Sequence, residues 1–145
     1  MDYLIFKSSP NKKIRDGILQ LHETIFNHSN DLIKQMQNKP KLLINLAMHN
    51  QQVFGYKIEY ELNDETFYSW LGGVANHYRN QGIGSQLMKA QHQLLKEKRY
   101  SIVQTKTKNK WRNMLILNIK SGFDIIGTYT DETGEPKIML QKLLL

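Results

Sequence analysis

The sequence predicts an α/β fold of the α+β type: a mixed, mostly antiparallel sheet of about seven strands, with four helices on its faces. Two observations carry this. Three extended stretches follow one another with only short turns between them, which is the pattern of an antiparallel meander. Further on, strands alternate with helical stretches, and such crossovers set strands parallel. The 145 residues suit a single domain spanning 1–145, long enough to bury a core without staples.

The elements follow in order. Residues 2–8 read as an apolar strand closed by Ser8-Ser9-Pro10. Residues 11–26 carry Ile14, Ile18, Leu19, Leu21, Ile25 and Phe26 at near-helical spacing, slightly weakened by Gly17. Ser29-Asn30-Asp31 is a cap signal for a short helix over 32–38, ended by Pro40. Strands are expected over 41–49, 52–62 and 66–74, with turns at His49-Asn50-Gln51 and Asn63-Asp64-Glu65. Alternation puts Phe54, Tyr56, Ile58 and Tyr60 on one sheet face, and Lys57, Glu59 and Glu61 on the other, outward face. The clearest helix runs over 82–98, with Ile83, Leu87, Met88, Leu94 and Leu95 as its stripe. A strand over 100–107, a helix over 113–120, a strand over 123–130, a turn at Asp131-Glu132-Thr133-Gly134 and a strand over 136–144 complete the chain.

Composition narrows the function classes. With no cysteine, disulfides, thiolate metal sites and a cysteine nucleophile are excluded. A reducing, cytoplasmic location is the expectation. The first residues are too short an apolar stretch for a signal peptide, and no run is long enough for a transmembrane helix. The five histidines show no ligand spacing, so no metal is expected. The net charge of +7 suits an anionic partner, whether nucleic acid or a nucleotide-like polyanion, and equally a solvated basic surface.

The glycines say more by where they fall. An apolar strand ends at Val74, the chain turns through Ala75-Asn76-His77-Tyr78, and Arg79-x-x-Gly82-x-Gly84 opens the long helix. Backbone N–H groups at a helix start lack intrahelical partners and sit at the positive end of the dipole, so they can take phosphate oxygens. Glycine at 82 and 84 clears the approach, and Arg79 adds charge. The alternative is a glycine turn that merely lets helix and strand pack closely. Neither a Walker loop nor a third dinucleotide-type glycine is present, since position 87 is leucine.

On these residues the chain resembles the GNAT superfamily of acetyl-CoA-dependent N-acetyltransferases, whose [RQ]-x-x-G-x-[GA] signature is matched by Arg79, Gly82 and Gly84. Trp70-Leu71-Gly72-Gly73-Val74 looks like the family's fourth strand, and Asn113-Met114-x-x-x-Asn118-x-x-x-Gly122-Phe123 is similar to its later helix and Gly-Phe step. The resemblance implies an N-acetyltransferase domain whose fourth and fifth strands splay into a V-shaped slot for the pantetheine arm. A bulge at Gly72-Gly73 would open it. It implies that Gly72, Gly73 and Val74 pair with the pantetheine amides and acetyl carbonyl, that Asn80, Gln81, Gly82, Ile83, Gly84 and Ser85 wrap the pyrophosphate beside Arg79, and that Asn113 and Asn118 also meet the cofactor. Lys106, Lys108, Lys110 and Arg112 could meet its 3′-phosphate or form a solvated face.

The implied chemistry is direct attack of a primary amine, on a small molecule or peptide, on the thioester of acetyl-CoA. Many members carry a tyrosine, acting as acid toward the thiolate, where this chain has Asn118; an amide cannot donate a proton that way at neutral pH. Asn118 keeps a hydrogen-bonding role. Glu59, Glu61 and Tyr68 are the candidates for the base, each also readable as a surface residue. His22 and His28 end the first helix near the implied acceptor pocket, more simply as surface or half-buried histidines. The missing tyrosine supports an alternative, a non-catalytic acyl-CoA-binding or regulatory module. A nucleic-acid reading rests on Lys106-x-Lys108-x-Lys110-Trp111-Arg112 alone, with no accompanying recognition motif. Met139, Leu140, Leu143, Leu144 and Leu145 could support a homodimer or fill the core.

Overall fold

The computed structural model describes residues 1–28 and 31–144. The elements run β1 (Asp2–Phe6), α1 (Lys12–Phe26), α2 (Leu32–Gln37), β2 (Leu43–His49), β3 (Gln52–Glu61), β4 (Thr66–Val74), α3 (Ile83–Glu97), β5 (Ile102–Lys108), α4 (Arg112–Lys120), β6 (Asp124–Thr130) and β7 (Pro136–Leu143), with a 3₁₀ turn at Asn76–Tyr78. The strands form one seven-stranded sheet in the order β1-β2-β3-β4-β5-β7-β6. All neighbours are antiparallel except β4 and β5, which are parallel. The expected architecture and element order are therefore the observed ones.

Local chemistry sets the turns. Asn50 and Gln51 both take positive φ (49° and 66°), the requirement of the tight turn that joins twisted antiparallel strands. The Asn63 side chain accepts from the Glu65 N–H at 2.9 Å, and Asp131 Oδ1 accepts from the N–H groups of Thr133 and Glu135. Asn11 caps α1 by accepting from the Ile14 N–H at 3.0 Å. The cap expected for α2 is weaker: Asp31 sits at the N-cap position without a side-chain bond, and Ser29 and Asn30 lie outside the described residues.

The core has two halves, one on each side of the sheet. Ile18 and Leu21 of α1 and Leu32 and Met36 of α2 pack with Ile44, Leu46, Met48, Tyr56 and Ile58. On the other side Leu87, Met88 and Leu95 of α3 meet Leu43, Ala47, Phe67 and Val103. Strand β2 is buried on both faces because both are covered, Asn45 being its one buried polar residue. Leu140 and Leu144 belong to the second half of the core, whereas Leu143 is exposed; Leu145 lies outside the described residues. No helix of the described chain is long and apolar enough to cross a membrane.

Candidate active site

The site begins where β4 and β5 part. They pair only from Thr66 to Ser69 against Ile102 to Thr105. The last step is clasped by Thr105 Oγ1 donating to the Ser69 carbonyl at 2.9 Å, a buried bond. Beyond it Trp70–Val74 and Lys106–Lys108 diverge, leaving backbone groups of β4 without a strand partner on that side. The irregularity that goes with the splay is not at Gly72-Gly73, as the sequence suggested. Ile58 opposes Leu71 and Glu59 opposes Ser69, so Trp70 is the extra residue.

The two glycines do different work. A Cβ on Gly73 would lie 2.5 Å from Ile25 Cδ1, so glycine there lets α1 approach β4. Gly72 opposes Lys57 in register, and a Cβ on it would lie 3.2 Å from the Tyr56 carbonyl and 3.7 Å from Lys57 Cγ. A slot opens between β4, α3 and α4, lined by Lys57, Gly72, Gly73, Val74, Gly84 and Met114, among others. Its width depends on Gly84, where a Cβ would stand 3.2 Å from Leu117 Cδ2.

At its outer end lies the Arg79–Gly84 turn. Arg79 Nε donates to the Val74 carbonyl at 3.3 Å, tying the turn to the end of β4. Asn80 (φ 64°) and Gly82 (φ 81°) are left-handed, and Gly82 is the N-cap of α3 with no side-chain cap bond. The Gln86 N–H reaches back to the Gly82 carbonyl at 2.9 Å. The N–H groups of Ile83, Gly84 and Ser85 therefore have no intrahelical acceptor and stand at the positive end of a 15-residue helix. Arg79, Asn80, Gln81 and Gly82 are exposed. This is the geometry of an anion-binding turn.

The acid and base candidates fare differently. Glu61 opposes Phe67, at the paired end of β4 and away from the splay. Hydrogen bonds from Tyr100 (2.8 Å) and Lys41 (3.1 Å) hold its pKa below the usual carboxylate value. Tyr68 is half-buried, and burial, helped by Tyr60 and Tyr129, pushes its pKa to about 12, which favours the protonated phenol at neutral pH. Glu59 is not on an outward face. It is fully buried beneath α3, as is Lys57 at 8% exposure. Asn118 is buried at 2% exposure on the inner side of α4, while Asn113 is exposed near the start of the same helix.

Alternation separates the two faces of β3 but says nothing of what covers them. Here α3 covers the polar one, and it brings polar groups with it. With the Asn45 amide oriented to suit its neighbours, it donates to Glu59 Oε1 at 2.9 Å and accepts from the Gln91 N–H at 3.1 Å. His92, also buried, lies 3.2 Å from Lys142 Nζ through Nδ1. Burial, then the charges of Lys142, Lys57 and Lys96, lowers its pKa to about 3. Burial likewise drives Glu59 well up and Lys57 down, each opposed by the other's charge. Gln91 and His92, on the apolar stripe of α3, were the available signal: buried polar side chains require polar partners.

On the opposite face, aromatic residues gather beside the splay. Tyr60 contacts Tyr68 and Trp70, with Lys39 Nζ 4.8 Å from the ring centres of both Tyr60 and Trp70. Phe26 meets Trp111 edge-on. His22 is buried, its Nδ1 within hydrogen-bond reach of the Tyr56 hydroxyl. Its pKa is lowered by burial and by His28. Of the basic stretch, Lys108 is paired with Glu135 at 2.9 Å and Lys106 lies over the rings of Tyr68 and Tyr129. Among the described residues no cluster of three or more His, Cys, Asp or Glu is placed to hold a metal ion.

Comparison with known proteins agrees with this geometry. No curated protein matches the sequence. Solved structures superpose along nearly the whole chain. Ard1 from Thermoplasma volcanium is 17% identical with a TM-score of 0.81, covering 99% of this chain and 98% of that one. An aminoglycoside 6′-N-acetyltransferase from Enterococcus faecium is 14% identical with a TM-score of 0.83, covering 100% and 98%. A GNAT family acetyltransferase from Elizabethkingia anophelis, solved with acetyl-CoA bound, is 23% identical with a TM-score of 0.76, covering 97% of each chain. At these identities the likeness is one of fold. The sequence itself matches the family model for acetyltransferases of the GNAT type over residues 12–113, and the chain belongs to that family.

Proposed function

We infer that this protein moves the acetyl group of acetyl-CoA to a primary amine by direct attack within a ternary complex. One observation carries the reading: the slot along Gly72–Val74 runs up to a helix start whose N–H groups at Ile83, Gly84 and Ser85 have no acceptor. A pantetheine arm needs a narrow channel with strand amides on one wall, and a pyrophosphate needs unpaired N–H groups at its end. Both are offered in one line. The chain supplies orientation by the backbone of β4 and electrostatic stabilisation by α3; the amine attacks without a covalent enzyme intermediate.

The acceptor enters from the aromatic side, past Trp70, Tyr68, Phe26 and Trp111. A polycationic acceptor is not favoured: of the acidic residues Glu59, Glu61, Asp64 and Glu65, Glu59 is buried and Glu61 is tied to Lys41 and Tyr100. A small-molecule or peptide amine without several positive charges fits the Lys39- and Lys106-bearing face better.

A second reading, a non-catalytic acyl-CoA-binding module, draws on the amide at Asn118 and the high pKa of Tyr68. Thiol release, followed with DTNB across a panel of amines, separates the two. Turnover on at least one amine supports transfer. Acetyl-CoA binding by calorimetry without turnover on any amine favours the module, and no binding rejects both.

A further inference from the structure

Lys57 is the one described group in the slot whose chemistry the fold does not use. It is nine-tenths buried, lines the slot, and makes no hydrogen bond or close ion pair with a described residue. Its stem lies against β4 where Gly72 lacks a side chain: Lys57 Cγ is 3.7 Å from the place a Gly72 Cβ would take. A Cβ at 72 would sit in ordinary contact with that stem and closer, at 3.2 Å, to the Tyr56 carbonyl. Behind it on the same strand face stands Glu59, with Oε1 held by Asn45 and Oε2 free of partners.

A largely buried ammonium without a contact anion is costly, and it is tolerated where a reaction brings an anion to it. Transfer from a thioester produces one, the leaving thiolate. Resting on the acetyl-transfer reading, we propose that Lys57 receives the donor's sulfur and protonates it, with Glu59 as the positioning residue behind it. The amine nitrogen attacks the acetyl carbonyl carbon, and the new C–N bond forms. The C–S bond then breaks with its electron pair on sulfur, which takes a proton from Lys57 Nζ. Lys57 recovers a proton from solvent, which has accepted the one shed by the amine. The sum is amine plus acetyl-CoA giving the N-acetyl amine and CoA thiol.

The groups around Lys57 are Glu59 on its own strand, Asn45 opposite it on β2, which also takes the Gln91 N–H, and His92 from α3, itself 3.2 Å from Lys142 of β7. His92, held near 3, stays neutral across the working range, and Asn45 and Gln91 do not titrate. Lysine with carboxylate and amine with carboxylic acid hold the same number of protons, so the Lys57–Glu59 pair carries one transferable proton over a wide range. The activity should fall as pH rises past the point where that proton leaves, which burial brings below the ordinary lysine value.

The test uses Lys57→Met and the double variant Lys57→Met/Glu59→Gln, which removes both charges and so preserves neutrality in the core. General-acid loss predicts a fall in kcat of roughly 100-fold or more in both, with the acetyl-CoA dissociation constant within about a few fold of wild type. The basic limb of the pH–rate profile should disappear. The second readout is the thiol of bound CoA, titrated by its thiolate absorbance. Wild type should lower its pKa below that of CoA free in solution, titrated alongside, and both variants should return it. Near wild-type kcat in the folded double variant, with an unshifted CoA thiol in wild type, overturns the proposal. Failure of the underlying reading looks different: wild type then binds no CoA, or binds it without turnover, and the proton-donor role falls with it.

Discussion

Replacing Gly82 by glutamate tests the phosphate-binding turn with little steric disturbance. Gly82 has φ 81°, and a Cβ there would meet nothing within 4 Å. The structural cost is therefore left-handed strain, about 1 kcal/mol. Part of it is offset by a carboxylate at a helix N-terminus, worth roughly 0.3–1 kcal/mol. A net loss below about 1 kcal/mol lowers Tm by no more than roughly 4 °C in a chain of this size. Binding should suffer far more. A carboxylate about 6 Å from a phosphate charge costs from about 0.7 kcal/mol at bulk-water dielectric to about 3 kcal/mol at the effective value of a protein surface. That weakens acetyl-CoA by roughly 3- to 150-fold, less at high salt. Gly82→Ala carries the strain without the charge and should bind within a few fold of wild type. Calorimetric titration with acetyl-CoA, beside thermal melts of all three proteins, reads both effects. A Gly82→Glu protein that binds as tightly as Gly82→Ala at low salt would refute the placement of the pyrophosphate.

Other outcomes follow from the same geometry. Tyr68→Phe should leave the shape of the pH–rate profile unchanged through neutrality, because a hydroxyl with a pKa of about 12 does not titrate there; a lost limb would restore Tyr68 as a base. Glu61→Gln should leave kcat unaltered, since Glu61 sits at the paired end of β4; a large fall in kcat at an unchanged melting temperature would contradict that position. His92 has its folded pKa lowered to about 3 from about 6.5 unfolded. Its contribution is thus fully present above pH 6.5 and is lost as pH falls toward 3, at up to about 1.4 kcal/mol per pH unit. Melting temperature should decline below pH 6.5, and less steeply in His92→Gln; parallel declines would place the acid sensitivity elsewhere.

Much of this was legible in the sequence because it rests on local chemistry. Asn50-Gln51, Asn63 and Asp131 make their turns from their own backbone preferences and side-chain bonds. Arg79, Gly82 and Gly84 form a helix start that neighbouring residues alone dictate. The bulge was not legible: that Trp70 rather than Gly72 is the extra residue is a property of the register between β3 and β4, set by packing on both sides of the sheet. Nor was the environment of Lys57 and Glu59. They alternate like solvent-facing residues, and only the seating of α3, with Gln91 and His92 on its inner stripe, buries them. His22 was hidden for the same reason, as its partner Tyr56 lies 34 residues away.

The most direct test is a structure of the protein with acetyl-CoA. The expected result is the pyrophosphate on the N–H groups of Ile83, Gly84 and Ser85, the pantetheine arm along Gly72–Val74, and the sulfur against Lys57 Nζ. Acetyl-CoA bound away from the β4–β5 splay, or with its phosphates elsewhere than the start of α3, would contradict it.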